Sequence, residues 1–211
     1  MAEEQNKLKT DLYVFVSTDS PKTTDEEGEP GRSTRTTGEE EEPKTTDDEQ
    51  SKSRPSISLT NIWAGIGAGL WAVSEAQALN IKGQATKAAR LPIGACGILY
   101  CKELKCFTTP FLVCSKPSTD KVNDQHIEKD VWSEYWYFPF RILPLGSPRK
   151  RVETKDLGKY VKAIADGEPW TNVLRVIPAT VFNPCTKVTQ EDWAKLFDAL
   201  VESPERFSRK Q

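Results

Sequence analysis

Within GIGAGLWAVSE, residues 65–75, three glycines lead almost directly into a tryptophan. Two chemistries are open to such a stretch: the main-chain N–H groups of a glycine loop can cradle phosphate, and an indole face can stack on a base. A dinucleotide loop needs G-x-G-x-x-G between a strand and a helix, with an acid about twenty residues later. Gly65, Gly67 and Gly69 are spaced G-x-G-x-G, and SLTNIWA before them reads as a helix start. Trp-Ala-Val-Ser-Glu follows, not the Lys-Ser/Thr that holds phosphate and magnesium. The glycines are therefore expected to end a helix and turn the chain, because glycine tolerates the left-handed conformation found there. On composition alone Trp71 reads first as core, since aromatics beside strands usually pack inward.

Other reactive residue types are sparse. Five cysteines (Cys96, Cys101, Cys106, Cys114, Cys185) include no C-x-x-C pair, and the only histidine is His126. Structural zinc takes paired ligands at short spacing, so no metal site is expected and the thiols read as free and buried. The even spacing of Cys96, Cys101 and Cys106 is expected to keep them on alternating faces of a strand pair. His126 lies near Asp124 and Glu128 without a Ser or Cys nucleophile, which reads as a loop histidine. No catalytic constellation stands out, so the chain is read as a non-enzyme without a cofactor.

The elements that must position these residues emerge from charge and hydrophobic period. Residues 1–55 carry 8 Lys and Arg against 15 Asp and Glu, whereas residues 56–211 carry 21 against 16, so a basic body follows an acidic head. Between Asp19 and Pro55 there is no aromatic or branched aliphatic residue. Such a stretch buries too little apolar area to offset the entropy of ordering it, and disorder is expected. DLYVFVSTD (11–19) reads as a strand before this insertion. SLTNIWA is a helix start with Thr60 or Asn61 as N-cap, and AQALNIKGQATKAARLP is loop or irregular helix. GACGILYCKE and KCFTTPFLVCSKP read as two strands joined by the turn Lys102–Lys105, and HIEKDVWSEYWYFPFRILPLG as a loop entering an aromatic strand. In that strand Phe138 and Phe140 should share one face, with Tyr137 on the other. RKRVETKDLGKYVKAIADG reads as a basic turn and a short helix with Leu157, Tyr160, Val161 and Ile164 at helical spacing. TNVLRVIPATVFNP is a last strand or an extended return. VTQEDWAKLFDALVESP is a helix capped by Thr189 with an apolar stripe of Trp193, Leu196, Phe197 and Leu200. Several short strands with helices at the ends give an α+β protein built on a small barrel-like sheet. No run approaches the ~20 apolar residues of a membrane helix, and the first apolar run is too short for a signal peptide. An intracellular, cytoplasmic protein is expected, nuclear as an option in a eukaryote.

At this point LYVFVST, NIWAGIGAGLWAVSE, LPIGACGILYC, CFTTPFLVCSKP and VWSEYWYFPFRILPL, in this order and spacing, resemble the EVE domain of the PUA-like superfamily, a relative of YTH and ASCH domains. The resemblance covers Leu12–Thr18 and about residues 58–145. It implies a PUA-like small mixed β-barrel with flanking helices, made from residues 11–18 and 56–148. Residues 1–10 become a tail, 19–55 an acidic disordered insertion, and 149–211 a C-terminal helical extension packed on the barrel. It further implies a reader of RNA or DNA that takes a modified, often methylated, base into an aromatic cage. By that pattern Trp71 is one wall, Trp132 or Trp136 the second, and Asn61 the contact to the base. Ala72 stands where YTH domains often have Ser, with Ser74 two residues on, so the identity of the base is left open.

The chemistry asked of these residues is simple. An extruded base needs π faces to replace its stacking neighbours, worth about 1–3 kcal/mol per base. A methyl group adds apolar area and, on a cationic base, a cation–π attraction. Asn offers both a donor and an acceptor to a Watson–Crick edge. Phosphates call for cations, and Lys82, Lys87 and Arg90 after the first wall and Arg149, Lys150 and Arg151 after the late strand are the candidates. Two other classes stay open: a protein-interaction domain that uses the acidic insertion, and an ASCH-like enzyme acting on modified nucleosides.

Overall fold

β-branched and aromatic residues draw LYVFVS into strand β1 (Leu12–Ser17), and CGILYC pairs beside it in parallel as β3 (Cys96–Cys101). The computed structural model describes residues 11–17, 57–74, 81–119, 122, 132, 136–176 and 181–201. The expected insertion, the N-terminal tail and His126 lie outside the described residues. β4 (Cys106–Val113) runs antiparallel to β3, then β5 (Trp136–Pro144) pairs with β4, and β2 (Leu70–Ser74) pairs with β5. The sheet order is β1-β3-β4-β5-β2, with β6 (Arg151–Glu153) added to β4. The two end strands β1 and β2 come into contact, so the mixed sheet curls on itself in an α+β fold. Phe15 of β1 meets Phe140 of β5 at 5.2 Å across the hollow.

Two apolar cores lie on the two sides of this sheet. The first gathers Phe15, Trp71, Phe111, Trp132, Trp136 and Phe140, and receives Ile62 of helix α1 (Ile57–Ala68) and Ala88 of helix α2 (Ile81–Arg90). The second joins Leu12, Ile98 and Phe107 to Leu157, Leu174 and Leu196 of the C-terminal part. Full burial of each such side chain contributes roughly 1.5–3 kcal/mol. Ser17 and Ser58, both fully buried, clasp β1 to α1: each hydroxyl donates to the other's carbonyl, at 2.7 and 2.6 Å.

Several local expectations are revised. α1 begins at Ile57, so Thr60 and Asn61 lie inside the helix and do not cap it. Of the three glycines only Gly69 turns the chain, at φ +60° with its N–H bonded to Ile66 O, while Gly65 and Gly67 are helical. IKGQATKAAR is a regular helix, because Ala85, Ala88 and Leu91 give it an apolar side against the first core. The basic turn after Pro148 runs into β6, and a 3-10 turn (Thr154–Lys159) and helix α3 (Lys162–Ala165) replace the single short helix. TNV belongs to helix α4 (Trp170–Val173), not to a last strand. The terminal helix α5 (Gln190–Leu200) is as expected, with Thr189 Oγ1 accepting from Asp192 N at 3.1 Å. Cys101 and Cys106 do converge, because the four-residue turn places them opposite each other in the β3–β4 register. Cys114 is exposed and the other four thiols are buried. Among the described residues no helix is long and apolar enough to cross a membrane.

Candidate base-binding site

The turn at Gly69 delivers the chain from α1 straight into β2, where Trp71 pairs with Phe140 and Ser74 with Trp136. Between these pairs β5 carries one extra residue, and Phe138 takes φ +56° to absorb it. A bulge re-aims the strand locally, and all five residues from Trp136 to Phe140 are buried. Phe138 and Phe140 both contact Phe182, so they share a side as expected, but Tyr137, expected on the other face, is buried in the same core because the bulge at Phe138 breaks the alternation.

The structure brings Trp71, Trp132 and Trp136 together from separate segments. Trp132 lies flat on Trp136, with ring centroids 4.9 Å apart and planes 15° from parallel. Trp71 stands edge-on to both, at 5.5 Å and 89° from Trp132 and at 6.1 Å and 76° from Trp136. The three are 0, 2 and 1% exposed, so they form a closed cluster and not an open cage. Trp132 Nε1 donates to the main-chain carbonyl of Asn61 at 3.1 Å. By contrast, Trp71 Nε1 is buried without a hydrogen-bond partner among the described residues. Gly65 makes the close approach possible: a Cβ there would lie 2.9 Å from both Trp132 Cζ2 and Trp71 Cε3.

Asn61 and Ala72 are buried at 1 and 0%. The side chains of Ser74 and Lys82 lie outside the described residues. Of the cations, Lys87 and Arg90 sit on α2, which packs against the core that holds the tryptophans. Arg149, Lys150 and Arg151 lead into β6. Lys150 Nζ donates to Val201 O at 2.7 Å, Arg151 Nε to Pro148 O at 2.7 Å, and Val152 between the strand ends enters the second core.

Two cations join Arg90 that sequence reasoning did not assign to phosphate. Lys116 Nζ donates to Ala89 O and Leu91 O, closing the C-terminus of α2. Arg141 is exposed, and its N–H donates to Ser115 Oγ at 2.8 Å, next to Lys116. A signal was present: residues 57–74, 81–101, 106–119 and 136–152 contain no Asp or Glu. Two clefts, about 350 and 300 Å³, open beside α5 and are lined by residues such as Lys162, Asp192 and Trp193; no predicted site residue borders either.

No family model matches the chain, and no curated protein matches it. Among solved structures the chain is similar to the Toxoplasma CPSF4-YTH domain in apo form, at 14% identity and a TM-score of 0.44, over 93% of this chain and 92% of that one. It is also similar to the Toxoplasma CPSF4 YTH-domain in complex with a 7 mer m6A-modified RNA. That likeness has 17% identity and a TM-score of 0.41, over 71% of this chain and 90% of that one.

Proposed function

We propose that the chain is a nucleic-acid-binding module on a PUA-like barrel, which takes a modified base of RNA or DNA, turned out of its stack, against the tryptophan cluster. The observation that carries this reading is the buried indole N–H of Trp71, unpartnered among the described residues, within a cluster of three tryptophans. A buried donor left unmade costs about 1–3 kcal/mol, and an orphan of this kind calls for an explanation. A base supplies one, because its ring nitrogens and carbonyls are acceptors and its face stacks on indole. Trp71 and Trp136 offer the aromatic surfaces, with Asn61, Ala72 and Ser74 around them. Lys82, Lys87, Arg90 and Arg141 hold the flanking phosphates, and Arg149, Lys150 and Arg151 form a separate cationic group on the α5 side.

The test is a set of short RNA and DNA oligonucleotides, each with one methylated base, titrated against unmethylated twins by fluorescence anisotropy. The expected result is a preference for one methylated probe of about tenfold, which is ~1.4 kcal/mol. Replacing Arg90 and Arg141 by Glu should weaken methylated and unmethylated probes alike and flatten the salt dependence. Equal binding of every pair by the unchanged protein, or no binding at all, contradicts the reading.

A further inference from the structure

We propose that the face of β5 around Leu143 docks an acidic amphipathic helix of a partner protein, its leucines on an apolar strip and its carboxylates on the cations at either end. The ladder builds the strip. Leu143 lies opposite Leu112 in the β4–β5 register, and paired residues of an antiparallel ladder point to the same face. That face carries the second core, against which Leu112 and Leu145 pack while still partly exposed. Leu143 is 52% exposed, and Cys114, two residues after Leu112, is exposed as well. Helix α5 packs on β4 and β6 and ends beside the strip, since a Cβ on Gly146 would lie 2.6 Å from Leu200 O. The apolar surface therefore runs on past the end of α5.

Charge selects the partner. Residues 106–119 and 136–152 hold Lys116, Arg141, Arg149, Lys150 and Arg151 and no Asp or Glu. Arg141 is exposed two residues before Leu143 on the same strand, hence on the same face, where it borders the cations given to phosphate above. At the other end Lys150 Nζ donates to Val201 O, which places its charge beside the end of α5. Other occupants fit less well. Nucleic acid makes no use of aliphatic side chains, because bases stack on aromatic faces. A second copy would bring the same acid-free strands. Residues 19–55 are acidic but have no aromatic or branched aliphatic residue to bury, and residues 202–211 offer only Phe207, with two acids against three cations. A bilayer takes up protruding apolar tips, whereas Leu112 and Leu145 are partly buried against the second core.

Spacing selects a helix. β5 is an inner strand of the sheet, so the partner lies on its face and does not extend an edge. Alternate residues of a strand are about 6.6–6.8 Å apart, and residues four apart on a helix rise about 6 Å. Leucines at that helical spacing meet Leu143 and Leu145 in turn.

The test titrates the full chain with two labelled Glu-rich helical peptides of about 15 residues. One carries leucines four residues apart; its twin has Gln at those positions and the same charge. The leucine peptide should bind at least about tenfold more tightly than its twin. Leu143→Ser should remove most of that preference and leave oligonucleotide binding as it was. Equal binding of the two peptides, or a preference that survives Leu143→Ser, overturns the inference. Tighter peptide binding in Phe207→Ser assigns the strip to the chain's own last residues, and a dimer lost in Leu143→Ser assigns it to a second copy. Leu143-dependent capture by phosphatidylserine vesicles without peptide binding assigns it to lipid. Each of these three overturns the choice of partner. Should Leu143→Ser not fold, the methyl signals of Leu112, Leu143 and Leu145 in the unchanged protein decide: they shift with the leucine peptide if the inference holds and stay in place if it does not. Peptides and oligonucleotides are titrated separately, so this inference and the base reading can fail independently.

Discussion

At the scale of single residues, the fold stores its constraints in a few close approaches. A Cβ on Gly97 would lie 2.2 Å from the Phe111 ring, which is itself fully buried and backed by Phe15 at 5.7 Å. The ring has nowhere to go, so Gly97→Ala should destabilise by about 1–3 kcal/mol in a urea titration. Buried acids set an alkaline limit, with Cys96, Tyr100 and Cys106 raised alongside Tyr13 and Cys185. Burial first, then Asp11 and Cys185, push the Tyr13 hydroxyl from 10.0 up to about 12. Burial pushes the Cys185 thiol from 9.0 up to about 12, against a smaller opposing pull from Arg175. Both groups are held neutral in the fold, so their contribution is whole below about pH 9 and is lost as the pH climbs towards 12. Melting temperature should therefore fall between about pH 9 and about pH 12, and a flat profile there would contradict the assignment.

Among the elements, those read correctly from sequence announce themselves locally. α5 carries its own cap at Thr189 and an apolar stripe, and the β3–β4 hairpin has β-branched and aromatic runs around a charged turn. The regularity of α2 and the pairing of β6 are not legible locally, because their stabilisation comes from partners far along the chain. α2 is held by the first core and by Lys116 on its last carbonyls, and β6 by its pairing with Cys106–Thr108. The tryptophan cluster was legible in part: Trp71, Trp132 and Trp136 could be picked out as aromatic candidates. Their closed stacking could not, since it depends on the Phe138 bulge and on Gly65 admitting two rings at once. Gly69 is where the α1–β2 junction is most exposed to test. Ala at φ +60° costs roughly 1–2 kcal/mol, so Gly69→Ala should lower stability by that amount while Gly67→Ala, with open space around it, should raise it slightly.

For the molecule as a whole, the Ser17–Ser58 clasp holds together the two described positions between which residues 19–55 lie in sequence. Replacing them by a short polar linker should preserve the cooperative melt and add about 1–2 kcal/mol through cheaper loop closure. The removed residues carry 6 Lys and Arg against 12 Asp and Glu, so the shortened chain should also bind any polyanion more tightly at low salt. Loss of the fold in that variant would contradict the clasp. The most direct test of the central claim is to locate the base itself. The full chain is irradiated with an oligonucleotide carrying the preferred modified base, and the cross-linked peptides are identified by mass spectrometry. Cross-links from that base to the peptides holding Trp71 or Trp136 are the expected result. Cross-links confined to Arg149–Arg151, or independent of the modification, would contradict it.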